Sequence, residues 1–255
     1  MGAGHSHPLY LDGASPLHRA PAEVKIACLV VFVVAVVATP RESLWAFGFF
    51  GAMVMSLWWI AAIPVTWMLP RMAIEAPFVV LAVLLPIADG GERVLVAGMS
   101  LSVPGLYAAW GILVKGTLGV AASLTVAATT SARELPGALS RLGVPALFSA
   151  VLMFMLRYVD LLAGEVDRMR IARISRGDSP RALHQVGAIA RGAGSVFLRA
   201  YSRGERVYVA MLSRGYDGRV PVDGLAAPAT ATQWAAAALP AGAAVAVAAS
   251  AWLLR

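Results

Sequence analysis

Two tripeptides carry the clearest chemistry in this sequence. Ser175-Arg176-Gly177 and Ser213-Arg214-Gly215 repeat one order of residues 38 positions apart. A guanidinium is planar, permanently charged and able to make several hydrogen bonds at once, which suits an acidic groove on another protein. Each tripeptide also stands where a helix should stop. Gly177-Asp178-Ser179-Pro180 reads as a left-handed Gly closing one helix near Arg176, then a Ser cap and a first-turn Pro opening the next. Gly215-Tyr216-Asp217-Gly218 closes that second helix in the same way. A single Arg-Gly is accounted for by the helix dipole and the C-terminal cap. The repeat, with Ser before Arg both times, invites a receiver with acidic pockets. On residues alone both readings stand.

Other reactive groups form no comparable pattern. His5 and His7 make a His-x-His near the N-terminus, with His18 nearby and His184 distant, but no Cys or carboxylate lies at ligand spacing. No Gly-x-x-x-x-Gly-Lys-Ser/Thr run is present, so the chain is not expected to hydrolyse nucleotide itself. The zincin and nucleophile-elbow motifs are missing too. Cys28 is the one cysteine and cannot form an intrachain disulfide.

The elements that must position the two tripeptides are membrane helices. Of 255 residues, 59% are hydrophobic and 14% charged, against about 45–50% and about 25% in soluble domains. Such an excess cannot hide in one aqueous core. Residues 1–25 are polar. Ile26–Ala38 is apolar and, extended to Val24 and Thr39, gives a short first span. Ala35-Val36-Val37-Ala38 resembles a signal cleavage site, but the leader is long and lacks a basic cluster. Leu44–Met68 reads as a second span closed by Pro70-Arg71, and Ala73–Ala88 as a third. After the polar turn 89–93, a partly buried loop leads to a fourth span over about 105–131. Val144–Leu156 is apolar but short, and reads as dipping into one leaflet. Gln233–Leu254 is the final span. The acids near these spans are few: Glu75 at an edge, Asp89 and Glu92 in a turn.

Charge orients this assembly. Residues 133–219 hold fourteen arginines against seven acids, which is the entire net charge of +7. The positive-inside bias puts this block in the cytoplasm, the N-terminus inside and Arg255 outside. Five crossings follow, in an all-α polytopic fold. Its parts are an N-terminal cytoplasmic segment (1–25), a four-span bundle (26–131), a cytoplasmic or membrane-surface domain (132–231) and a last helix (232–255). Within that domain, Arg199, Arg203 and Arg206 share one helix face. Leu183, Val186, Ala190, Phe197, Tyr201, Tyr208 and Met211 recur on another, making the helix amphipathic. Such a stretch also attracts anionic lipid.

Several of these features together resemble the transmembrane T component of energy-coupling-factor (ECF) transporters, in its cobalt-type CbiQ branch. They are Gly13-Ala-Ser-Pro-Leu-His-Arg19 with Val24-Lys25, Thr129-Thr130-Ser131 with Glu134-Leu135, and Arg141-Leu-Gly-Val-Pro145. Arg157-Tyr158, Glu165, Ala172-Arg-Ile-Ser-Arg-Gly177 and Ala210-Met-Leu-Ser-Arg-Gly-Tyr216 continue the likeness over nearly the whole chain. The resemblance implies that Arg176 and Arg214 each dock in a groove of one of two ATP-binding-cassette ATPase subunits. Gly177 and Gly215 would let the tips approach closely. Ser175 and Ser213 stand where the family usually has Ala, and could add a hydrogen bond. It implies further a substrate-capture membrane subunit that holds Co²⁺ or Ni²⁺, with ATP and Mg²⁺ bound by the ATPases. No metal ligands, cofactor or catalytic residues are then expected in this chain, and no nucleic acid among its partners. Two other classes are weighed against it. A self-sufficient secondary transporter needs polar groups at the bilayer midplane, and a membrane enzyme needs a nucleophile, base or metal cluster; the sequence is poor in both.

Overall fold

A computed structural model of the chain describes residues 9–88, 90, 92–96, 99–177, 186–218 and 228–254. The chain divides into two compact units, one of residues 7–138 with 226–255 and one that holds 139–225.

The first unit is built around α6 (Val103–Thr129), a 27-residue helix. Against it pack α2 (Ala22–Ala38), α3 (Leu44–Ala61), α4 (Val65–Met72) and α5 (Ala76–Ala88). The last helix, α10 (Ala231–Leu253), lies on α2 and α3. Its buried face is Ala244, Ala248 and Ala251. With lipid as apolar as Leu, helices associate by close packing, and small side chains permit it. Phe50 is fully buried and meets Phe32 and Phe47 edge-on, with centroids 5.6 and 6.4 Å away. The outward faces carry Trp59, Val83 and Leu239, 86%, 62% and 76% exposed. Such a surface is stable only under lipid.

Among the described residues, five helices are long and apolar enough to cross a bilayer: Leu44–Ala61, Val65–Ala88, Val103–Thr129, Ala146–Ile174 and Ala231–Leu253. The chain is a multi-pass, essentially all-α membrane protein. The membership of the five differs by one from the sequence reading. Helix α2 has 17 residues, about 25 Å against a hydrocarbon core of about 30 Å. Of Val144–Leu156, read as a short dip, all but the first two residues belong to α8 (Ala146–Ile174), which continues unbroken for 29 residues. Arg157 and Asp160 interrupt the hydropathy there without breaking the helix.

Two boundaries correct the sequence reading. The second span stops at Ala61 rather than Met68. Pro64 drives the residue before it out of the helical region, Ala62 turns left-handed at φ +53°, and Ile63 N–H closes on Trp58 O at 3.1 Å. Val65 then starts the third span, which passes through Pro70 and a 3₁₀ turn (Ala73–Glu75) into α5. Arg71 does not end it, because its guanidinium lies 3.9 Å over Trp67 and donates to Trp67 O at 2.7 Å. The expected buried loop before α6 is a hairpin of β1 (Arg93–Val96) and β2 (Met99–Ser102), paired Arg93↔Ser102 to Val96↔Met99. Ser102 caps α6 by accepting from Gly105 N–H at 3.3 Å. A Cβ on Gly105 would lie 2.8 Å from Leu85 O, so α5 and α6 meet backbone to backbone there.

The N-terminal segment is tied to the far end of α6. Ser15 caps α1 (Pro16–Arg19), and both His18 ring nitrogens are engaged, by Ser15 Oγ at 2.7 Å and Leu11 O at 3.1 Å. Leu11 N–H donates to Ala128 O at 2.9 Å, and the buried Lys25 ammonium to Thr129 O at 2.7 Å. These are carbonyls that a helix C-terminus leaves without a partner. Sequence elements more than a hundred residues apart therefore form one joint, where the chain leaves the bundle.

The relative weight of packing and polar contacts is testable by unfolding in detergent. Phe50→Ala is expected to cost about 3–5 kcal/mol. Thr125→Val, which removes the 2.6 Å bond from Trp58 Nε1, is expected to cost about 1 kcal/mol. The reverse order would contradict this account of the bundle.

Candidate functional site

The second unit carries both tripeptides. After the short helix α7 (Leu135–Arg141), Gly143 sits at φ +88°, with Gly143 N–H on Ser140 O and Val144 N–H on Leu139 O. Helix α8 follows, then α9 (Val186–Leu212), of 27 residues. The helix start expected at Pro180, and Leu183 and His184, lie outside the described residues, as do His5 and His7.

The two tips have matching geometry. At the end of α8, Ser175 N–H bonds Ile171 O at 2.9 Å, Arg176 N–H bonds Arg173 O at 2.9 Å, and Gly177 N–H bonds Ile174 O at 3.0 Å. At the end of α9, Ser213, Arg214 and Gly215 N–H bond Val209, Met211 and Leu212 O, each at 3.0 Å. Tyr216 N–H closes on Met211 O at 3.0 Å, which with the Gly215 bond completes a Schellman cap. Gly177 and Gly215 have φ of +84° and +82°. No atom within 4 Å would meet a Cβ at either position. Glycine is thus required by backbone conformation rather than by space within the chain.

The polar atoms at the tips divide into spent and available. Ser175 Oγ donates to Ile171 O and Ser213 Oγ to Ala210 O, both at 3.0 Å. The hydroxyl protons turn back on their own helices, leaving only lone pairs for a partner. Arg176 and Arg214 are exposed, and among the described residues neither guanidinium has a hydrogen bond or ion pair. A bidentate carboxylate on another surface would satisfy either one.

The two helices run antiparallel across each other. Glu165 of α8 pairs with Arg199 of α9 and, at 2.9 Å, with Arg168. One turn further along α8, Met169 Sδ receives Ser195 Oγ at 3.4 Å. An open groove of about 400 Å³ extends the other way, lined by Phe154, Tyr158 and Leu161 of α8 and by Arg203, Tyr208 and Met211 of α9. As numbers rise on one helix they fall on the other. Arg176 therefore lies about 16 Å along α8 from the Glu165–Arg199 contact, and Arg214 about 22 Å along α9 in the opposite direction. The tips leave the crossing separately and cannot share one small pocket.

This arrangement corrects the helical-face reading in part. Arg199 and Arg203 face α8, so they brace the pair instead of offering a free basic stripe. Tyr208 and Met211 of the apolar face line the groove against α8, whereas Phe197 and Tyr201 are 67% and 60% exposed. Glu165 is the residue whose role the sequence did not disclose. Its i, i+3 spacing to Arg168 is visible locally, but its partner Arg199 lies 34 positions away. Among the described residues no group of His, Cys, Asp or Glu is placed to hold a metal ion.

Known proteins resemble this chain over most of its length. The family model described as CbiQ, cobalt transport protein, matches residues 13–222. An uncharacterized protein of Methanocaldococcus jannaschii is 25% identical over 218 residues, 80% of this chain and 72% of that protein. A putative fused cobalt transport protein, CbiMQ, of Methanocorpusculum labreanum is 26% identical over 218 residues, 80% of this chain and 35% of the fused protein. The energy-coupling factor transporter transmembrane protein EcfT of Bacillus subtilis is 26% identical over 228 residues, 82% of this chain and 83% of that protein.

The caps make a local prediction. Gly177→Ala and Gly215→Ala are each expected to cost about 1–2 kcal/mol through the left-handed conformation alone, and Asn at either position much less. Hydrogen exchange at the Tyr216 amide reports the second tip directly. Equal protection in Gly215→Ala and the parent chain would show that the cap does not depend on this dihedral.

Proposed function

Because the chain belongs to the CbiQ cobalt transport protein family, we propose that it is the transmembrane coupling subunit of an ATP-driven ECF importer for a divalent transition metal, cobalt before nickel. It sits in the cytoplasmic membrane of a prokaryote with its N-terminus inside. It catalyses nothing itself. Two ATP-binding-cassette subunits bind ATP and Mg²⁺, and a substrate-capture membrane subunit holds the metal as cargo.

The observation that carries this reading is the pair of matched tips. Two exposed guanidinium groups, without a hydrogen bond or ion pair among the described residues, stand on equivalent Gly-capped helix ends, directed away from a common crossing. One tip per ATPase subunit is the simplest use of that geometry. In this reading Arg176 enters a groove of one subunit and Arg214 that of the other, each paired with a carboxylate. ATP binding draws the two subunits together. Helices α8 and α9, braced by Glu165–Arg199 and the aromatic groove, carry that movement to the capture subunit, which opens inwards and releases its ion. ATP supplies the differential binding between the two states that any such switch requires. The EcfT relative is named as the transmembrane protein of an energy-coupling factor transporter, and the fused relative as a cobalt transport protein; both support the assignment.

Arg176→Ala and Arg214→Ala test the docking. Truncating one partner of a desolvated charge pair leaves the other unpaired. Each single substitution is therefore expected to weaken ATPase-subunit binding by about thirtyfold or more, and the double substitution to abolish metal uptake while membrane insertion stays normal. Undiminished ATP-dependent uptake by the double variant would overturn the proposal.

A further inference from the structure

The membrane unit contains a feature that docking does not use. A groove of about 430 Å³ lies between α2, α3, α6 and α10, with α1 at its mouth. That volume falls within the range of about 300–1,000 Å³ typical of small-molecule sites. Its walls are apolar, with Leu57, Ile60, Val126 and Ala236 among them.

The polar groups set into those walls are nearly all spent. Cys28 Sγ donates to Ala237 O at 3.4 Å. Thr125 Oγ1 receives Trp58 Nε1–H and donates to Ala121 O. Thr129 Oγ1 donates to Thr125 O, and Lys25 donates to Thr129 O. Two donors remain. The exposed Arg19 guanidinium has no hydrogen bond or ion pair among the described residues. Gln233 accepts Thr230 N–H at its Oε1, at 2.9 Å, which leaves its side-chain NH₂ to donate. Gln233 stands in the first turn of α10, where the helix end carries partial positive charge. The carboxylate of this region, Glu23, is buried and receives Ala229 N–H at 2.6 Å.

An apolar trough whose unspent cationic and amide groups are donors is complementary to a molecule with an acyl chain and an anionic head. We propose that this groove holds one acyl chain of an anionic phospholipid, with the phosphate received by Arg19 and Gln233. A second copy of the chain placed symmetrically would set Arg19 against Arg19. The lipid packs beside the joint of α1, Lys25 and the end of α6, and so becomes part of the membrane unit's seam with α10.

Native mass spectrometry of the full chain in detergent tests this, with phosphatidylglycerol and phosphatidylcholine of the same chains titrated separately. One phosphatidylglycerol is expected to be held about fivefold more tightly than phosphatidylcholine, the contribution of roughly one surface Arg. Arg19→Gln is expected to erase that preference. Ala236→Phe, at an exposed wall position, is expected to lower retention of both lipids by filling the trough. Equal retention of the two lipids by the parent chain would overturn the proposal. So would a preference that survives Arg19→Gln, or retention unchanged in Ala236→Phe. A covalent dimer through Cys28 on mild oxidation in membranes would assign the groove to a second copy instead.

Discussion

Backbone hydrogen-bond groups that water cannot reach must find partners inside the protein, and much of this structure follows from that demand. It makes the apolar runs helical. It also makes every helix end a problem that needs its own solution. At the end of α6 the solution is long-range: Lys25 and the Leu11 amide supply donors to Thr129 and Ala128 carbonyls. At the start of α6 Ser102 does the work, and its own hydroxyl donates to Gly90 O at 2.9 Å. At the ends of α7, α8 and α9 a left-handed glycine folds the chain back on its last carbonyls.

The same solution at three helix ends clarifies what is particular about two of them. Gly143 closes α7 as Gly177 and Gly215 close α8 and α9, so a glycine cap alone signals nothing beyond a helix stop. The difference lies in the residue before it. Leu142 precedes Gly143, whereas Arg176 and Arg214 precede the other two. At both ends the arginine is exposed, one residue before a left-handed glycine. The antiparallel crossing then sends the two arginines in opposite directions. Cap, arginine and crossing together give two separated tips of like build, which the proposed lever between two moving subunits requires.

The sequence showed local features well and long-range ones poorly. The stops at Gly177 and Gly215 were legible because only glycine adopts their dihedrals cheaply. Most spans were legible from hydropathy, and the Ala-rich last helix was unmistakable. The end of α3 was missed because the run from Leu44 to Met68 is apolar throughout, and the break depends on Pro64 with Ala62 in a conformation unusual for alanine. The hairpin before α6 was missed because two four-residue strands in an apolar stretch lack the alternation that marks longer ones. Lys25 on Thr129 and Glu165 on Arg199 bridge 104 and 34 positions. No local pattern encodes such pairs. The matches in the N-terminal segment and at Thr129-Thr130 were visible as separate pieces, and only the fold shows that they form one joint.

Site-specific photocrosslinking addresses the central claim most directly. A benzophenone amino acid would be placed at position 176 or 214 of this chain, within membranes that also contain the ATPase and capture subunits. The account predicts that each position crosslinks to an ATPase subunit, and that a chain labelled at both positions captures two ATPase copies at once. Crosslinks to lipid alone, or both positions reaching a single ATPase copy, would contradict it.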